Sequence, residues 1–463
     1  MTKAKKPELN YEPKNCWDVY TSKKDLAAMD DLAARYIDFL SQCKTERETV
    51  DFIQEKLLAA GFAEGYAKDR AVRVMRGKTV FLARRGKRPL SEGVRLVGAH
   101  VDTPRLDLKQ HPLYEDCAVG LAKTHYYGGI RKHQWLARPL ALHGVAVKAD
   151  GTTVRVNIGE APTDPVLTVL DLLPHLAQGQ MEKTVTKAFE AEKLNIVLGH
   201  APAKSKKDGE KPKDPIKQRV LELLHEKYGL IEEDLFSAEM QVVPAGPARS
   251  VGLDGSLIGG YGQDDRICSF ATMEAFLTST EQPEHTQIAL YWDKEEIGSE
   301  GATGAKSLFF EYCMEDLLRE WEPKTRLSEV FLNTKAVSAD VHGALDPDYQ
   351  DVHEKLNSSV LGYGPVFCKF TGHRGKVGAN DAHPEYVGWL RGLLNAAGVP
   401  WQMAELGKVD VGGGGTVAKF LAVYGMDVID FGPGVLSMHS PFEVSSKMDV
   451  YAAMLAYKAF LES

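Results

Sequence analysis

VRLVGAHVDTPR, residues 94–105, is a short apolar run that ends abruptly in a histidine and an aspartate. A run of this length and composition reads as a strand, and it delivers His100 at its end. The pattern repeats downstream. TQIALYW (286–292), PVFCKF (365–370) and DVIDFG (427–432) are further apolar strands. Helical periodicity occupies 266–280, 304–320, 384–397, 415–424 and 445–461. This alternation predicts an α/β fold, a central sheet flanked by helices on both faces. In such sheets the polar residues just past the strand ends line the ligand crevice.

Upstream, residues 21–60 carry apolar residues at helical spacing and end at Gly61, which predicts a packing helix pair. RAVRVMRGKTVFLARRG (70–86) reads as a hairpin. Residues 104–245 form a stretch of different character. PLALHGVAVKA, TTVRVNIG and AEMQVVPA are strand-like, and VLELLHEKYGL is helical. Between them GHAPAKSKKDGEKPKDPIKQR (199–219), rich in Lys, Asp, Pro and Gly, reads as a solvated, mobile loop. This middle stretch separates His100 from the other strand ends. The economical architecture is one catalytic domain, 1–103 and 246–463, interrupted by an inserted, mainly β domain, 104–245.

Bulk composition narrows the class. A chain of 463 residues exceeds one ordinary core. With 44% hydrophobic and 26% charged residues it reads as a soluble globular protein. A formal net charge of -8 disfavours a dominant nucleic-acid surface. No run approaches the length of a membrane span. The opening MTKAKKPELN is polar, unlike a secretory signal, and the six cysteines are scattered without a CxxC pair. Together these predict a cytoplasmic protein with free thiols.

Five segments can carry chemistry. In GAHVDTPR (98–105), His100 suits a zinc-type ion, and Asp102 is placed to fix the imidazole tautomer rather than to share the ion. GGYGQDDRICS (259–269) puts Asp264 and Asp265 at the mouth of a helix, where they either cap it or meet a cation. YWDKEEIGSEGATGA (291–305) brings Glu295 and Glu296 to a strand end; one can bind a metal while the other accepts a proton from water. SADVHGALDPDY (338–349) offers Asp340 as a terminal ligand. DFGPGVLSMHSPFE (430–443) presents His439 after a strand. Each segment alone has an ordinary structural reading. Together they supply His, Asp, Glu, Asp and His at successive ends of one sheet, a set that suits two divalent ions bridged by one carboxylate. The two histidines favour softer ions than magnesium.

In order and combination these residues resemble the M18 family of metalloaminopeptidases, which contains the aspartyl aminopeptidases. The resemblance covers nearly the whole chain and rests on GAHVDTPR, the Asp264 turn, DKEEIGS, SAD, DVGGGGT (410–416) and LSMHS (436–440). It implies a zinc-peptidase-like fold and hydrolysis of the first peptide bond of peptides. It implies that His100 binds one ion, that Asp264 bridges two, that Glu296 and Asp340 are terminal ligands, and that His439 completes the second site. Glu295 would be the general base and Asp102 a support for the metal site. Two zinc ions per subunit are implied, with cobalt or manganese as alternatives. The insertion would serve dimerisation, with dimers assembling into a tetrahedral dodecamer. His175 in LPHLA (173–177) would reach a neighbouring subunit's active site.

Three departures stand out. Asp265 follows Asp264 where the family often has Asn. VHGALDPDY displaces His342, which is therefore not assigned as a ligand. Lys369 and Lys376 are both counterparts of a lysine associated with acidic substrates, so selectivity for N-terminal Asp or Glu does not follow. Two other readings compete: a carboxypeptidase or deacylase that grips a substrate carboxylate with Arg105, Arg266 or Arg374, and a noncatalytic peptidase-like scaffold. GGYG and VDVGGGGT match neither a phosphate-binding loop nor a dinucleotide fingerprint.

Overall fold

A computed structural model of the chain describes residues 9–204 and 212–463. Most of the polar opening and the centre of the Lys/Pro-rich run at 199–219 lie outside the described residues. The central sheet has nine strands: β1 (Gly65–Tyr66), β2 (Arg70–Met75), β3 (Thr79–Arg84), β4 (Arg95–His100), β5 (Gln287–Trp292), β6 (Lys335–Ser338), β7 (Val366–Cys368), β8 (Gln402–Met403) and β9 (Asp427–Gly432). Their spatial order is β1-β2-β3-β5-β4-β6-β9-β7-β8. The four middle strands, β5, β4, β6 and β9, run parallel. Their carboxyl ends therefore share one edge, with Trp292 beside His100 and Ser338 beside Gly98.

These strands are apolar throughout because helices cover both faces. Val97, Ala99, Ala289, Tyr291, Val337 and Ile429 enter one core. That core is shared with α1 (Lys23–Gln42), α2 (Glu46–Ala59), α3 (Gln263–Thr278), α5 (Pro384–Ala397) and α6 (Lys447–Leu461). The alternate residues Leu96, Ile288, Leu290, Ala336 and Val428 enter a second core with α4 (Phe309–Trp321). The helix pair expected across 21–60 divides at Cys43, where Thr45 caps α2. Its hydroxyl accepts the Glu48 amide, and the Glu48 carboxylate accepts the Thr45 amide. The helix expected at 415–424 shrinks to Ala418–Ala422, since the run of four glycines before it is left outside the helix.

Residues 105–244 build a separate seven-stranded antiparallel sheet. Its spatial order is Thr153–Ile158, Leu140–Val147, Glu239–Pro244, Arg105–Asp116, Val119–Tyr127, Ile196–Gly199 and Thr168–Val169. It has its own core around Leu106, Trp135, Leu142 and Val242, and the helix Pro215–Tyr228 presses Ile216 and Val220 toward it. A third sheet of five short strands includes Leu257–Gly260, Gly434–Leu436 and Glu443–Ser446. It carries the chain into α3 and past His439. Among the described residues no helix is long and apolar enough to cross a membrane.

Candidate metal centre

His100 closes β4 and is 1% exposed. Its ring Nδ1 lies 3.1 Å from the Asp102 carbonyl oxygen and 3.3 Å from Asp102 Oδ1. Both partners are acceptors, so Nδ1 carries the hydrogen. That leaves Nε2 facing Asp264 Oδ1 at 3.2 Å, Asp340 Oδ1 at 3.8 Å and Glu295 Oε2 at 4.0 Å.

His439 repeats the arrangement. Its Nδ1 donates to the Gly129 carbonyl at 2.9 Å, and its Nε2 faces Asp264 Oδ2 at 3.1 Å and Glu296 Oε2 at 3.3 Å. An imidazole tied through Nδ1 with Nε2 aimed at carboxylates is poised to ligate a metal through Nε2. Three groups of side chains converge closely enough to hold an ion: His100, Asp264 and Asp340; Asp264, Glu296 and His439; and His100, Glu295 and Glu296.

The backbone explains how these groups meet. Gly262 takes a left-handed φ of 80°, and a β-carbon there would strike the Arg266 guanidinium. The chain can thus turn sharply before α3 and raise Asp264. The amides of Gln263, Asp264 and His439 all donate to the Glu443 carboxylate, at 2.5, 3.3 and 2.8 Å. One buried glutamate thereby sets the bridge candidate and a histidine together. The Glu295 and Glu296 amides donate to the two oxygens of Asp102, at 3.0 and 3.2 Å. Asp102 thus orients the glutamate turn as well as the His100 ring. Asp340 crosses tightly against Gly432, where a β-carbon would come within 2.1 Å of its carbonyl oxygen.

The electrostatics of the bare cluster ask for positive charge. Burial opposes ionisation of Asp264, but contacts with His100 and His439 outweigh it and hold the carboxyl well below its usual range. Burial pushes Glu296 well up, reinforced by Asp264. Burial does the same to Asp340, and His100 only partly offsets it. Glu295 rises to about 7, from burial first, with His100 opposing and Asp102 adding to it. His439 rises to about 10 because Glu296 and Asp264 outweigh its desolvation. Among the described residues, the buried Asp264 Oδ1 and Glu296 Oε1 have no hydrogen-bond partner. Divalent cations would answer both the excess charge and the orphaned oxygens. The donor set of two imidazoles and several carboxylates fits zinc-type ions.

A cavity of about 540 Å³ opens on Asp264, Glu295, Glu296, Asp340 and His439. The glycines of 412–415 and the basic side chains Arg374, Lys376, Lys408 and Lys419 line it as well. The other residues singled out in the sequence sort as follows. Arg105 is buried on Asp107 and Glu46, and Arg266 on Lys44 and Thr49. Only Arg374 of the three arginines borders the cavity. Lys369 and Lys376 both pair with Asp381, at 2.9 and 3.1 Å, and Lys376 alone of the two lines the cavity. Asp265 turns away from Asp264 and accepts the His100 amide at 3.2 Å. His342 points its Nδ1 at the Gly343 carbonyl and Ser359, and burial lowers it to about 4. His175 is exposed on a short turn, Pro174–Leu176, and does not line the cavity.

Sequence reasoning missed Glu443, Gly129 and Tyr127. Glu443 carried a signal, a carboxylate four residues past His439. Gly129 and Tyr127 carried none, because the middle stretch gives no hint of which of its residues return to the crevice.

Known proteins resemble this chain over nearly its whole length. The family model described as "Aminopeptidase I zinc metalloprotease (M18)" matches residues 39–461. A probable M18 family aminopeptidase 1 of Clostridium acetobutylicum is 48% identical, over 98% of this chain and 99% of that protein. Its Thermotoga maritima counterpart is 45% identical, over 98% and 100%. Among solved structures, the M18 aminopeptidase of Thermotoga maritima superposes with a TM-score of 0.92 at 44% identity, over 98% of this chain and all of that one. A yeast Ape1 dodecamer shares the fold at 22% identity and a TM-score of 0.76. A match across nearly the full length, joined to two imidazoles converging on one aspartate, places this chain in the M18 family of zinc metalloaminopeptidases.

Proposed function

We propose that this chain removes the first residue of peptides using two divalent ions, zinc in the first instance, with cobalt or manganese as substitutes. One observation carries the reading: the two oxygens of Asp264 face two different histidines, His100 and His439, at 3.2 and 3.1 Å. Asp264 is the shared ligand, His100 and Asp340 complete one site, and Glu296 and His439 complete the other. When bound, the ion pair acidifies the attacking water and polarises the scissile carbonyl.

Glu295 accepts the proton of that water and passes it to the leaving amine nitrogen. Asp102 keeps Glu295 and His100 in register. The inserted domain, 104–245, serves dimerisation, and twelve copies form a tetrahedral shell that admits peptides. In it His175 of the partner subunit supports the developing charge on the carbonyl oxygen. The enzyme works in the cytoplasm.

The test is zinc-loaded protein against free and N-acetylated peptides, following new amino termini. Release of the first residue from free-amine peptides alone supports the reading. Cleavage of acetylated peptides or of C-terminal bonds refutes it in favour of a carboxypeptidase or deacylase. No cleavage with zinc, cobalt or manganese refutes it in favour of a scaffold.

A further inference from the structure

Asp102 is fully buried, and all its acceptor capacity is in use. A carboxylate offers about four lone-pair sites. Oδ1 takes the Glu295 amide and lies against the His100 ring. Oδ2 takes the Glu296 amide at 3.2 Å and the phenol hydroxyl of Tyr127 at 2.8 Å. Three of these four partners belong to the crevice. The fourth, and the shortest contact, comes from the last residue of the strand Val119–Tyr127 in the antiparallel sheet.

Tyr127 is itself held. The guanidinium of Arg105 sits 3.8 Å from the centre of its ring. Arg105 is fastened by Asp107 at 2.7 Å and approaches Glu46 of α2 at 3.6 Å. Glu46 in turn takes Lys78 at 3.1 Å and Gln241 at 2.7 Å. The hydroxyl therefore has little freedom to leave Asp102. Burial, reinforced by Asp102, raises the phenol, so it keeps the proton that it donates to Asp102.

We infer that Tyr127 is a positioning residue for the hydrolytic centre: its hydroxyl locks the Asp102 carboxylate, and through it both the His100 imidazole and the Glu295–Glu296 turn. This rests on the metal-dependent reading above. The carboxylate has one orientation that serves four donors at once. Without the phenol, Oδ2 keeps only the Glu296 amide and the carboxylate loses its shortest contact. That loss loosens a ligand imidazole and the proton-accepting glutamate together.

The test is Tyr127→Phe, which keeps the ring under Arg105 and deletes one oxygen. Loss of an outer hydrogen bond of this kind weakens metal binding or activity by about 10- to 100-fold. Zinc affinity is read without turnover, by competition with a chelating dye. Steady-state kinetics should show kcat falling while KM stays within about twofold. Thermal unfolding of the metal-free protein checks the fold and should match the wild type.

A double-mutant cycle separates positioning from general packing. In an Asp102→Asn background, Tyr127→Phe should cost less than about twofold more, because both changes act through one carboxylate. Full additivity in the cycle overturns the inference. So does zinc affinity and kcat within twofold of wild type for the single variant. If the wild type neither binds zinc nor releases first residues, the metalloaminopeptidase reading itself falls. If it does both and Tyr127→Phe behaves identically, only the role of Tyr127 falls.

Discussion

Gly432→Ala puts the packing of the site to a sharp test. Gly432 closes β9, and its backbone does not lie in the left-handed region, so alanine meets no conformational penalty. Its β-carbon, however, would stand 2.1 Å from the Asp340 carbonyl oxygen, 2.7 Å from the Asp340 carbonyl carbon and 3.0 Å from Cys268 Sγ. Ordinary carbon contacts lie at about 3.5–4.0 Å. The Asp340 backbone must therefore retreat by roughly 1 Å or more, and as main chain it cannot swing aside like a flexible side chain. Overpacking of this kind costs about 1–3 kcal/mol. A misplacement of about 1 Å in a catalytic constellation costs about 100-fold in rate. Urea unfolding, zinc content per subunit and kcat/KM on a free-amine peptide should all change. Gly388→Ala in α5 is the control, since a β-carbon there meets nothing within 4 Å. It should be neutral or stabilising by up to about 1 kcal/mol. If Gly432→Ala keeps full zinc content and wild-type kcat/KM, the tight crossing of Asp340 against β9 does not set the site.

Three further outcomes are expected. Glu295→Gln should lower kcat by about 100- to 10,000-fold, the range for a lost general base, while zinc content by atomic absorption stays at the wild-type value. Asp264→Asn should do the opposite in metal terms: deleting the charge that faces both His100 and His439 should reduce zinc content more than any single terminal change, measured the same way. His143 is buried between Glu48 at 2.8 Å and Glu160 at 3.1 Å, and these contacts raise its pKa despite the opposing burial. A raised imidazole contributes stability that is complete below its unfolded pKa of about 6.5 and lost as pH climbs through the folded value. His143→Gln should therefore cost about 1–3 kcal/mol in urea unfolding at pH 6, and the gap from wild type should narrow at pH 9.

Much of the fold was legible because period and composition report burial directly. The strands β4, β5 and β9 are buried on both faces, so their apolar runs stand out from amphipathic neighbours, and α5 lies where its periodicity placed it. The candidate site was legible for the same reason, since Glu295, Glu296, Asp340 and His439 follow strand ends of the central sheet within two to seven residues, and His100 ends one. Legibility failed where pairing, not period, decides. The hydroxyl of Tyr127 meets a carboxylate 25 residues earlier only because two antiparallel strands return it there. Lys369 and Lys376 looked like rivals for one role, yet a single carboxylate, Asp381, takes both. His175 is exposed within its own chain, because the segment around it packs on little of that chain. Arg105 and Arg266 looked available to a substrate and are spent on internal partners.

The antiparallel sheet has a closer tie to the chemistry than its separate core suggests. Both candidate ligand imidazoles have their Nδ1 side fixed with help from residues just beyond one strand's end or at it. His439 donates to the Gly129 carbonyl, and His100 leans on the Asp102 carboxylate that Tyr127 holds. A histidine ligand needs its other nitrogen committed, or the ring turns and the lone pair leaves the ion. Residues 127–129 supply part of that commitment at both histidines. The parallel sheet brings the candidate ligands to one edge, but that edge alone leaves both rings less constrained. A chain excursion that leaves after β4 and returns before α3 is therefore best understood as completing the candidate metal centre.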